Sequence, residues 1–210
     1  MKKMISAALL LSASLLPLSS IAMPEAFIDG VHYKATPVRL ATNSDEKIEV
    51  IELFSYSCPH CFNLDPQVQL WKETLPENVT FKHVPAIFRD SWLQLARVFY
   101  AAEATGDLDK LHPLLFNAIH VEKRRLQTEE QLLDFVAEQD IDRDAFAKTM
   151  KSMSVASKVK KALMLSQTSG ITGVPAMIVN GQYRTDAPLA GSMSDMLKTV
   201  DYLIQKESNK

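Results

Sequence analysis

The clearest pattern in the chain is the run IEVIELF at 48–54, apolar on both parities except for Glu49 and Glu52. Such a run suits a central strand covered on both faces. Residues 38–40 and 79–84 also read as strands. Cys58-Pro59 opens a helical stretch that closes at Leu75-Pro76. Pro59 fits the first turn, where a missing N–H costs nothing, while Pro66 predicts a kink. Residues 48–84 thus read as a strand–helix–strand unit.

The residues that follow are patterned for helices. Trp92, Leu95, Ala96, Phe99 and Ala102 recur at helical intervals over 91–105, with Gly106 as the stop. A helix over 108–121 must absorb Pro113. Thr128-Glu129-Glu130-Gln131 is a capping box opening a helix to about Gln139. Asp142 caps another, with Ile141 and Phe146 placed as a hydrophobic staple. Val155, Val159, Ala162 and Leu163 mark a longer helix that stops at Gly170. Strand character returns at 176–179, Asn180-Gly181 reads as a type I′ turn, 182–184 as the return strand and 194–206 as a closing helix. Trp71, Trp92, Met150, Met153 and Met164 read as core. The order βαβ, helical block, ββα predicts an α/β protein with helices inserted into a small sheet domain.

At the N-terminus, Lys2-Lys3, an apolar stretch over 4–18, and Ser20 and Ala22 at the small-residue positions describe a cleavable export signal over 1–22. Ser6, Ser12, Ser14 and Pro17 break the stretch below the roughly 18 apolar residues of a membrane span. No cysteine lies near the cut to carry a lipid. The 210-residue chain has 23 basic and 25 acidic residues, and removing Lys2 and Lys3 leaves no basic surplus. An electrostatic nucleic-acid footprint is therefore excluded.

Cys58 and Cys61, spaced C-P-H-C, are the only cysteines. A structural disulfide closing a four-residue loop would contribute only about 2 kcal/mol, which a domain of this size does not need. Structural zinc needs four ligands, and the segment offers two thiols and His60. His32, His83, His112 and His120 lie far off without metal-ligand spacing, so no metal site is predicted. Redox catalysis fits better. Residues three apart on a helix face the same way, and Cys58 at the helix N-terminus meets free N–H groups and the positive end of the macrodipole. A protonated His60 adds positive charge. Each effect favours the thiolate, which stabilises the dithiol and makes the disulfide more oxidising.

The segments VIELFSYSCPHC and GVPAMIVNGQY, with the helical insertion between them, resemble the DsbA family of thioredoxin-fold disulfide oxidoreductases from about Val50 to Ile204. The expected fold class is α/β, thioredoxin-like, with an inserted all-helical domain: 23–88 and 170–210 form the thioredoxin part and 89–169 the insertion. The resemblance implies that Cys58 is the nucleophile, Cys61 the resolving cysteine, and Pro59 and His60 the intervening dipeptide. It also implies a cis Val174–Pro175 peptide against the disulfide, leaving the Val174 backbone free to pair with an extended substrate. Glu52, sharing a strand face with Val50 and Phe54, matches the family's buried acid and can relay the Cys61 proton. The family's usual lysine partner falls at Phe81; Lys82 points to the other face, and His83 and Lys82 are the remaining candidates.

The function implied is periplasmic dithiol oxidation: the Cys58–Cys61 disulfide passes to reduced exported proteins through a mixed disulfide. A DsbB-type quinone-linked membrane oxidase would restore it, with the protein monomeric and free of cofactors. A reductase or isomerase on the same fold is the nearest rival. Residues 23–45 are too few for an isomerase's dimerisation domain, and His60 disfavours a reductase. A Cys/His metal-binding module and a pure folding chaperone are rivals of other classes.

Overall fold

The computed structural model describes residues 27–42 and 46–210; the predicted export signal lies outside them. A five-stranded sheet runs in the order β1-β5-β4-β2-β3. Strand β2 (Ile48–Phe54) lies inside it, parallel to the edge strand β3 (Val79–Pro85) on one side and antiparallel to the middle strand β4 (Ala176–Val179) on the other. All seven β2 residues are buried, as a run apolar on both parities requires. Beyond β4 come β5 (Tyr183–Asp186) and, at the other edge, the two-residue β1 (Lys34–Ala35).

Helix α1 (Pro59–Lys72) follows β2, and α8 (Met193–Ser208) ends the chain after the single turn α7 (Ala187–Ala190). Leu64, Val68 and Trp71 of α1 and Val200, Leu203 and Ile204 of α8 pack with Val50, Met177 and Val179 on one face of the sheet. Ile51, Leu53, Val84 and Ile178 face the other way, into the helical insertion. That insertion comprises α2 (Leu93–Thr105), α3 (Leu108–His120), α4 (Glu129–Ala137), α5 (Arg143–Met150) and α6 (Met153–Thr168). Period-two alternation thus sends Ile48 and Val50 into one core and Ile51 and Leu53 into the other, while Phe54 at the strand's end joins Leu53 on the insertion side.

Local signals are met where predicted. Gly106 ends α2 at φ 82, Thr128 and Gln131 form the reciprocal capping box, and the Asp142 side chain accepts from the N–H groups of Asp144 and Ala145. Both helices with internal prolines, α1 at Pro66 and α3 at Pro113, continue through them.

Some expectations need correction. Residues 38–40 form no strand: Pro37 lacks a donor, Val38 is exposed, and only single bonds such as Leu40 N–H to the Gly181 carbonyl (2.9 Å) tie the segment down. Helix α1 stops at Lys72, before Leu75. Asn180 and Gly181 carry the two positive φ values of a I′ turn (50 and 62), yet the register pairs Val179 with Tyr183, so β5 starts one residue late. Met153 and Met164 are exposed rather than core. Among the described residues, no helix is long and apolar enough to cross a membrane.

Candidate active site

Strand β2 delivers the chain to a tight turn at 55–58, where the Cys58 N–H bonds the Ser55 carbonyl at 3.0 Å. The turn hands over to Pro59 at the first position of α1, so Cys58 is the N-cap and faces the unpaired amides of the first turn. Cys58 is half-buried, Pro59 and His60 are exposed, and Cys61 is 1% exposed. Both cysteines are free thiols.

The Cys58 thiol is lowered from its ordinary 9.0 to about 6. The largest cause is the hydrogen bond from the Cys61 thiol; partial burial opposes it, and the backbone N–H groups of Cys61 and His60 reinforce it. The charge of His60, prominent in the sequence reading, comes last of the five. Burial pushes Cys61 far above the ordinary thiol range, and negative charge on Cys58 and Glu52 acts the same way. The pair therefore separates into one thiolate at the surface and one thiol beneath it.

Val174–Pro175 is cis, and Pro175 is buried. In this dithiol form the Cys58 thiol donates to the Val174 carbonyl at 3.3 Å. A thiolate cannot donate; loss of the Cys58 proton releases the carbonyl and leaves sulfur as the acceptor for Cys61. A groove walled by His60, Gly173, Val174, Pro175, Pro188 and Met193 opens beside the pair.

Glu52 lies buried at 2% exposure, directly opposite His83 in the β2–β3 register. His83 Nδ1 stands 2.8 Å from Glu52 Oε2, although the ring is turned out of hydrogen-bond alignment. Lys82 points to the opposite face and binds Glu49 at 2.7 Å. His83 is thus the partner of the buried acid, and Lys82 is not.

Sequence reasoning missed a second layer. Tyr56, in the active-site turn, is held by α3 at both ends: its hydroxyl lies 2.8 Å from His112 Nδ1 and its carbonyl accepts from His120 Nε2 at 2.7 Å. His112 Nε2 lies 3.1 Å from Asp65 Oδ1. Burial raises Tyr56 well above its ordinary value and lowers His112. The consistent protonation is a tyrosine hydroxyl donating to Nδ1 and a neutral imidazole donating from Nε2 to the Asp65 carboxylate. These residues are scattered from 56 to 120 and share no spacing, so the sequence carried no signal for them.

Comparison with known proteins points to one family. The family model of DSBA-like thioredoxin domains matches residues 70–204. A thiol:disulfide interchange protein DsbA of Azotobacter vinelandii is 40% identical over 210 residues, covering 99% of this chain and 98% of that protein. Its namesake from Pseudomonas aeruginosa is 37% identical over 207 residues, covering 99% and 97%. Among solved structures, Pseudomonas aeruginosa DsbA superposes with a TM-score of 0.83 at 37% identity, covering 87% of this chain and 95% of that one. The oxidoreductase DsbA from Xylella fastidiosa gives 0.79 at 30% identity, covering 85% and 96%.

Proposed function

This chain belongs to the family of DSBA-like thioredoxin domains, and we propose that it acts as a dithiol oxidase, passing a Cys58–Cys61 disulfide to reduced exported proteins. It is a thiol:disulfide oxidoreductase on a thioredoxin-like fold with a helical insertion. One observation carries the reading: Cys58 caps α1 half-buried, beside a buried Cys61 and the cis Val174–Pro175 bond, a setting that lowers its thiol.

In the oxidised protein a substrate thiolate attacks Cys58 Sγ. The S–S bond breaks, its electron pair leaves on Cys61, and that buried sulfur takes a proton. We assign the exchange of this proton to Glu52, whose charge reaches Cys61. A second substrate thiolate then attacks the substrate sulfur of the mixed disulfide. Cys58 leaves as a thiolate, the easier departure for a sulfur of low pKa. Val174 and Pro175, with Pro188 and Met193, wall the groove in which an extended substrate segment lies.

The segment 1–22 supports export to the periplasm with the leader removed. The family resemblance supports re-oxidation by a DsbB-type quinone-linked membrane protein, action as a monomer, and a division into 23–88 plus 170–210 with 89–169 inserted.

Equilibration of Cys58–Cys61 with a glutathione buffer tests the direction. A couple more oxidising than glutathione, with oxidation of a reduced unfolded protein by one equivalent of enzyme, is expected. A strongly reducing couple would overturn the oxidase reading in favour of a reductase.

A further inference from the structure

Where α1, β2, β3 and α3 converge, Asp65, His83 and His112 bring one ligand atom each to within 4.8 Å of one another. Two ligands bonded at about 2.0–2.1 Å to a tetrahedral ion stand roughly 3.3 Å apart. Asp65 Oδ1 and His112 Nε2, at 3.1 Å, already have that spacing; the ion would replace the Nε2 proton between them, the ring proton moving to Nδ1 and the Tyr56 hydroxyl oxygen accepting it there. His83 supplies the third donor, within 4.8 Å of the other two.

Each donor is also held from behind. Tyr56 lies against Nδ1 of His112 at 2.8 Å, Gln69 donates at 2.9 Å to Oδ1 of Asp65, the oxygen that also meets His112, and Glu52 lies 2.8 Å from Nδ1 of His83. Outer partners of this kind orient ligands in metal sites, a carboxylate behind an imidazole being the commonest form. His83 decides the matter. Its side chain is 13% exposed, and neither ring nitrogen has an aligned hydrogen-bond partner. A buried imidazole in that condition needs an acceptor, a donor or a cation. With Nδ1 turned to Glu52, Nε2 is the nitrogen left to bind.

Charge and access agree. Two carboxylates, Glu52 and Asp65, flank the two imidazoles. Lys82, the nearest cation on β3, is engaged by Glu49 on the far face. A divalent cation balances the two carboxylates in a site that water barely reaches. A groove lined by Phe81, Lys82, His83, Phe99, Glu103 and Leu108 reaches His83 from solvent.

We propose that Asp65, His83 and His112 bind one divalent transition-metal ion of the zinc or cobalt type, through two imidazole nitrogens and a carboxylate, with a further position for water. Imidazole and carboxylate donors without thiolate select such borderline ions. The site uses neither cysteine and does not depend on the oxidase reading. Occupancy would place a positive charge beside His83 and Glu52, one layer below Cys61.

The test is titration of Zn²⁺ and Co²⁺ into the untagged full chain with the Cys58–Cys61 disulfide formed, so that no thiol can bind. Calorimetry and the visible absorption of Co²⁺ report binding. One equivalent is expected, weakened at least about tenfold in His83→Gln and in Asp65→Asn, with circular dichroism to verify folding. Imidazole nitrogen chemical shifts of the unsubstituted protein identify the ligands without mutation: Zn²⁺ should move His83 and His112 and leave His32, His60 and His120 in place. The absence of stoichiometric binding, binding that survives both substitutions, or shifts confined to the other histidines would overturn the proposal.

Discussion

The lowered Cys58 thiol makes the stability of the reduced protein depend on pH in one direction only. Its folded value of about 6 lies below the ordinary 9.0, so the thiolate stabilises the fold above the unfolded value and that stability is lost as pH falls through about 6. Integrating between those limits gives roughly 0.1 kcal/mol at pH 5, about 1.4 at pH 7 and about 2.7 at pH 8. Cys58 is only half-buried, and solvent screening halves these figures to about 0.7 and 1.3 kcal/mol at pH 7 and 8. Cys61 stays a thiol throughout this window and does not add to the slope. The measurement is urea unfolding of the reduced protein against Cys58→Ser at pH 5, 7 and 8. The gap between them should be near zero at pH 5 relative to its baseline and widen with pH; in the oxidised protein, which has no thiolate, stability should lack this pH dependence. A gap that is flat, or that widens as pH falls, would refute the assignment of a stabilised thiolate.

Three other outcomes follow from named contacts. In a thiolate absorbance titration, Cys61→Ala should raise the Cys58 value further than His60→Ala, since the Cys61 hydrogen bond is the leading cause and the His60 charge the least; the reverse order would contradict the geometry. Tyr56→Phe leaves the buried Nδ1 of His112 without its 2.8 Å partner and should cost about 1–3 kcal/mol in urea unfolding, whereas an unchanged midpoint would mean the contact contributes nothing. Gly181→Ala sets a Cβ 2.3 Å from the Leu40 carbonyl oxygen at a φ of +62 and should destabilise by more than about 1 kcal/mol, visible as a drop in melting temperature.

By itself, the sequence determined whatever neighbours along the chain decide. A doubly apolar run made β2 a central strand, and Thr128 and Gln131 closed their capping box because both partners lie within one turn. Cys58 at the start of α1, one turn from Cys61, followed from four adjacent letters. The error at 38–40 arose where local propensity met a proline and no partner strand. Only the tertiary structure decided what stands beneath the cysteines. The parallel register set His83 opposite Glu52 and turned Lys82 away to Glu49; a slip of one residue would have exchanged them. The packing of α3 against α1 and the active-site turn brought His112 to Tyr56 and Asp65 across 56 and 47 residues. Such meetings have no sequence period because many weak packing contacts set them jointly, and no single neighbouring residue encodes where a distant helix will rest.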